Sequence, residues 1–124
     1  MLVLALAGSR AHAQPVVHTS AVIALAPEHM RALEAAVASA LGEVPTTLDV
    51  SLTKLEVTQL GGEIEVKVEL RALISDETGR IVWSSTAHAT ARGPARERAQ
   101  LHRDAITGAA EALGKRVRSQ QLGS

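Results

Sequence analysis

The chain has 124 residues, 13 Lys plus Arg against 13 Asp plus Glu, and a hydrophobic fraction of 46%, enough for one domain with its own core. It contains one Trp and no Phe, Tyr or Cys. A neutral chain almost without aromatic rings lacks the clustered basic surface and stacking platforms of a nucleic-acid binder, and without cysteine there are no disulfides, thiolate metal sites or cysteine nucleophiles. The core must be built from Leu, Val, Ile and Ala. Alanine buries little area, so the layers must pack thinly and closely.

The first residues, "MLVLALAGSRAHAQ", place a short apolar run, Leu2 to Ala7, before Ala11-His12-Ala13. That order suits an export leader with a small-x-small cleavage site, so residues 1–13 read as a signal peptide and the mature domain as 14–124. Arg10 is the only charged side chain before Gln14, and a start codon assigned too late would account for the missing basic n-region. The rival reading of this run is a buried amino-terminal strand. Cleavage leaves 12 basic residues (13 less Arg10) against 13 acidic, a net charge of −1. No segment reaches the roughly 20 apolar residues of a membrane span, and no lipobox cysteine is present.

Val16 to Ala26, "VVHTSAVIALA", is rich in β-branched residues and reads as a largely buried strand. Pro27 suits the first turn of a helix, and Glu28 favours its positive end. Met30, Leu33, Val37 and Leu41 recur at spacings of three and four, with Ala36 and Ala40 widening the stripe, and Gly42 and Pro45 end it. Thr46 to Leu60 reads as a second strand. Leu48, Val50 and Leu52 share one parity and Leu55 and Val57 the other, which predicts a β-bulge near Thr53 or Lys54. Gly61-Gly62 signals a hairpin.

"EIEVKVELRA" alternates strictly, with Ile64, Val66, Val68, Leu70 and Ala72 toward a core and charges of both signs toward water. Asp76-Glu77-Thr78-Gly79 then reads as a corner, with Gly79 at positive φ and Asp76 capping through its carboxylate. In the next strand Ile81 and Trp83 share a parity and are expected to face inward. Trp83 is placed between the sheet and a carboxy-terminal helix, opposite Leu101, Ala105 and Ala109. Arg92-Gly93-Pro94 ends the strand. That helix runs from about Ala95 to about Arg118 on the stripe Leu101, Ala105, Ala109, Leu113 and Val117. Gly108 in its interior costs up to ~1 kcal/mol against Ala and implies close approach to the sheet. The tail from about residue 119 is expected to fray. The fold class is α+β, a two-layer sandwich in the order βαβββα, with an antiparallel meander, the first strand in the same sheet, and both helices on one face.

No motif among these elements assigns a catalytic, cofactor-binding or metal-ligating set. Asp76 and Glu77 supply too few oxygen ligands for a hard-cation cage. Of His12, His18, His29, His88 and His102, no pair has zincin spacing. Only a tertiary cluster of His29, His88 and His102 would make a site. Ser84 and Ser85 lie in a regular strand, not on a strained elbow. The glycines at Gly61, Gly62 and Gly79 precede no helix and so cradle no phosphate. The locally basic "RGPARERAQLHRD" is a solvated helix start, or else a contact for anionic lipid or a polyanion.

The stretch from Glu63 to the end, an alternating strand, "ISDETGRIVWSS", a small-residue strand and an Ala/Leu-rich helix, resembles units of bacterial envelope proteins. These are curli-secretion-lipoprotein-like domains, Tol-B amino-terminal-like domains and auxiliary lipoproteins of envelope transporters. The matching positions are Asp76, Thr78, Gly79, Ile81, Val82 and Trp83, and the preceding strand and helix, Val16 to Leu41, suit the same folds. The resemblance implies a small α+β envelope module that binds or scaffolds. It carries over no catalytic residue. Together with the leader and the composition, the reading is a periplasmic or secreted, non-enzymatic module that contacts another envelope protein, with no cofactor, nucleic acid or membrane span. The alternative is a small ligand-binding protein or hydrolase with a histidine-containing site. Export is checked by mass. With a complete leader supplied, the mature chain is expected to begin close to Gln14, and an intact amino terminus in the soluble cytosolic fraction would refute it.

Overall fold

The structure, a computed structural model, describes residues 17–42 and 47–123, so residues 1–13 read as a leader, Val16 of the expected first strand, Pro45 and Thr46 lie outside the described residues. The order is β1 (Val17–Ala21), α1 (Pro27–Leu41), β2 (Leu48–Leu60), β3 (Glu63–Ser75), β4 (Ile81–Pro94), a 3-10 turn (Ala95–Glu97) and α2 (Arg98–Gly123). The four strands form one sheet in the order β1-β2-β3-β4. β1 runs parallel to β2, because α1 carries the chain back between them, and the other neighbours are antiparallel hairpins. This is the expected βαβββα sandwich.

Both helices cover one face of the sheet. Leu33 and Val37 of α1 and Ile106, Ala109 and Leu113 of α2 are buried with Leu48, Val50 and Leu52 of β2 and Ile64, Val66, Val68 and Leu70 of β3 in a single cluster. Each fully buried Leu, Ile or Val contributes about 1.5–3 kcal/mol. The expected bulge is present. Pairing passes from Leu52–Leu70 to Lys54–Glu69, which leaves Thr53 as the extra residue and turns Leu55 and Val57 inward.

Small residues set the spacing of the layers. A Cβ on Gly108 would stand 3.1 Å from the Ala89 Cβ of β4, the close approach expected there. A Cβ on Gly114 would stand 2.8 Å from the Ala40 carbonyl oxygen of α1. That second contact, between the helices, has no signature in the local pattern. Arg118 then donates from Nη1 to the same carbonyl at 2.8 Å, serving one of the acceptors that the last turn of α1 leaves open.

Three local expectations are corrected. β1 stops at Ala21 after its last bond to β2, the Val22 amide to the Leu52 carbonyl at 3.0 Å. Val22 is 67% exposed, and β1 alternates instead of being buried throughout. Ile81 does not face the core. The pairing jumps from Ile74–Trp83 to Ser75–Ile81, so Val82 is a bulge, and the extra residue puts Ile81 on the parity of Ser75. Ile81 and Val82 are 55% and 57% exposed. Trp83 does face the helices but is only half-buried. It lies beside Ser85, Arg116, Ser119 and Gln120 near the carboxy-terminal part of α2. The reason is direction. α2 runs antiparallel to β4, with Leu101 against Gly93 and Gly108 against Ala89, so the far end of the helix reaches Trp83. α2 also continues to Gly123, beyond the expected end near Arg118.

Two glycine substitutions separate packing from backbone strain. Gly114→Ala is expected to destabilise by about 1–3 kcal/mol despite alanine's better helix propensity, because backbone must move away from the added methyl. Gly79 has φ 88° with open space around it. Gly79→Val is therefore expected to cost about 1 kcal/mol or more through backbone conformation alone. Urea denaturation of both variants checks the pair.

Candidate functional site

The acidic corner is occupied by its own backbone. Asp76 Oδ1 accepts from the Thr78 hydroxyl at 2.6 Å, the Thr78 amide at 2.9 Å and the Arg80 amide at 3.0 Å. The Asp76 amide donates to the Arg80 carbonyl at 2.8 Å, and the Gly79 amide to the Asp76 carbonyl at 3.0 Å. The Thr78 hydroxyl, followed by the Arg80 amide, holds the Asp76 carboxyl below its ordinary range. One short loop thus uses the side chain that a cation would need.

A second polar group spans the sheet face away from the helices. The Thr53 hydroxyl donates to Glu69 Oε2 at 2.5 Å, and Glu69 Oε1 lies 2.9 Å from His88 Nε2. The bulge at Thr53 and the pairing of Glu69 with both Lys54 and His88 bring these residues from three strands into one row. The Thr53 hydrogen bond is the main cause of a lowered Glu69 pKa, with His88 adding to it. The carboxylate lies between hydroxyl and imidazole, so the imidazole does not face the hydroxyl and the set lacks the nucleophile–base contact of hydroxyl catalysis. Further along the same β3–β4 pair, Arg92 Nε donates to Glu63 Oε1 at 3.1 Å.

Of the three histidines proposed as a cluster, the structure joins two. His29, in the first turn of α1, and His102, near the start of α2, stack with ring centroids 4.5 Å apart and planes 6° apart. His102 is 6% exposed. Its Nδ1 lies 2.8 Å from the Arg98 carbonyl, which can only accept, so Nδ1 carries the proton. His88 is on the other face of the sheet, held by Glu69. Among the described residues no three His, Asp or Glu side chains converge as metal ligands. Burial, followed by the neighbouring His102, lowers the His29 pKa. His18 pairs with Asp49 across β1 and β2, and His12 lies outside the described residues.

Two surface features remain. A groove of about 370 Å³ runs between the helices, lined by Ala36, Ser39, Ala40, Thr107, Glu111 and Lys115. The other is the sheet's two edges. β1 is a five-residue edge, whereas β4 pairs with β3 over its full length and has no strand on its other side among the described residues. Among the described residues no helix is long and apolar enough to cross a membrane.

The arrangement defines a βαβββα two-layer module with a covered face, a polar face and one long open edge. Among solved structures it is similar to a candidate lipoprotein from Caulobacter crescentus CB15, with TM-score 0.64 and 12% identity over 87% of this chain and 92% of that one. It is also similar to a minor lipoprotein from Acinetobacter baumannii, with TM-score 0.56 and 12% identity over 85% of this chain and 92% of that one. At this identity the likeness is one of fold. No protein-family model and no curated protein matches the chain.

The three lowered pKa values give stability a common sign with pH. Asp76, Glu69 and His29 all bind protons less readily folded than unfolded, so each supports folding fully above its unfolded pKa and loses that support as pH falls through the folded value. The denaturation midpoint is expected to fall first below about pH 6.5, from His29, and again below about pH 4, from the carboxylates. His29→Gln should flatten the first decline and leave the second. A first decline that persists unchanged in that variant would locate it elsewhere.

Proposed function

We propose that this chain is a non-enzymatic module exported to the bacterial envelope, where it binds another protein through the open edge of β4. The observation that carries the reading is the unequal treatment of the two edges. Folded proteins blunt exposed edges with short strands, charges, prolines or bulges. β1 is short. β4 offers a regular run from Trp83 to Arg92, after the bulge at Val82 and before Gly93-Pro94. Its only charged or titratable side chains there are His88 and Arg92, both bound to the neighbouring strand. Such an edge is a template for strand addition, in which main-chain hydrogen bonds supply affinity and alternate side chains supply selection.

The polar groups support a binding role over catalysis by what they already do. Asp76 closes a turn, Glu69 ties three strands together, and His102 bonds within its own helix. The export leader read at residues 1–13 and the fold shared with bacterial lipoproteins support the envelope location. The chain has no cysteine, so it offers no thiol for lipid attachment within these residues.

Site-specific photo-crosslinking tests the reading. A crosslinker at Thr86, on the β4 edge strand, is expected to give a discrete protein adduct in the native envelope. The same group at Glu111, in the interhelical groove, is not. Adducts from Glu111 and none from Thr86 would move the binding surface to the helices.

A further inference from the structure

Building on the edge-strand reading above, we propose that the strand added to β4 is β4 of a second copy. The two run antiparallel about a two-fold axis normal to the sheet, so that two four-stranded sheets become one of eight strands.

The composition of the edge selects this occupant. His88 and Arg92 are already engaged by Glu69 at 2.9 Å and by Glu63 at 3.1 Å, so an incoming charged strand finds no free counter-charge on β4. The remaining side chains between Trp83 and Ala91 are Ser, Thr and Ala. A neutral strand of small and β-branched residues is the complement, and β4 is itself such a strand. With His88 at the axis, Thr86 of each copy faces Thr90 of the other, a favourable cross-strand pair. Arg92 faces Ser84, so the arginines do not oppose each other. Trp83 faces Gly93, a position without a side chain whose inner face Leu101 of α2 already covers, so no bulky pair is forced at this end of the junction. The formal net charge, zero for the 124 residues and −1 without residues 1–13, sets up little long-range repulsion between copies.

The helix layer allows the same approach. The flank of α2 above β4 carries Gly108 and Ala112, both only partly buried, and Gly108 already lies close over Ala89. A two-fold axis at the β4 edge brings this flank beside its equivalent. Of the long charged side chains of α2, Glu111 and Lys115 line the opposite flank toward α1, while Arg116 lies on the β4 side beside Trp83, at the end of the junction and away from its axis.

Sedimentation velocity on the full chain, across a concentration series, is the first measurement, with a species of twice the 13.0 kDa chain mass expected. Thr86→Lys/Thr90→Lys puts like charges opposite each other twice at the junction and is expected to weaken the dimer by roughly tenfold or more. Thr86→Glu/Thr90→Glu should do the same. An equimolar mixture of the two should regain the dimer as a mixed species, with circular dichroism of each variant unchanged. That rescue requires edge meeting edge. A monomeric wild-type chain, or a dimer indifferent to both double variants, overturns the proposal. The broader edge reading is tested separately: if the wild type is monomeric but Thr86→Lys/Thr90→Lys still abolishes adducts from a crosslinker at Ser84 in the envelope, self-pairing falls and edge binding stands.

Discussion

The close seating of α2, against the sheet at Gly108 and against α1 at Gly114, is the constraint on which the rest of the structure depends. With one aromatic residue in the chain, the core cannot be filled by a few large side chains and must gain its contacts from short distances between layers. Alanines on α1, α2 and β4 permit those distances, and the two glycines occur where even a methyl group would intrude. Leu33, Ile106, Leu113 and the β3 valines then meet in one cluster without a large ring between them. The cost of glycine in a helix interior, about 1 kcal/mol each, is offset by dispersion contacts that a wider spacing would forfeit.

The same seating distributes the surfaces. Two helices on one face leave the other to be finished by side chains, and the alternating charges of β3 do this together with their cross-strand partners. Glu69 is held by Thr53 on one side and His88 on the other, while Glu63 holds Arg92. That face is polar and internally paired. The edges differ because β1 is only five residues long and β4 fourteen. The meander places β4 last, so its second row of amides and carbonyls has no strand of the described chain to meet. An edge so regular presents an open row of amides and carbonyls of the kind that strand addition uses.

The histidines illustrate how topology assembles neighbours that no spacing predicts. His29 and His102 are 73 positions apart and touch because α1 and α2 begin on the same side of the sheet. The stack lies between helices and lowers the proton affinity of His29 by burial and by the second ring. It therefore couples helix packing to pH without forming a ligand set.

The order of elements, the side of β3 that faces the core, the bulge at Thr53, the positive φ of Gly79 and the Asp76 cap were all legible in the chain. Each rests on period or on chemistry within a few residues. Other features were decided only in three dimensions. The end of β1 falls where its pairing with β2 reaches Leu52, beside the bulge at Thr53, although β2 itself continues to Leu60. The outward turn of Ile81 depends on a bulge at Val82 that pairing with β3 creates, and the half-exposure of Trp83 on the direction in which α2 crosses β4. The Thr53–Glu69–His88 row and the Gly114–Ala40 contact join residues distant in sequence. Local pattern sets which face of an element is apolar. Register, crossing direction and strand order set what that face meets, and these are properties of pairs of elements.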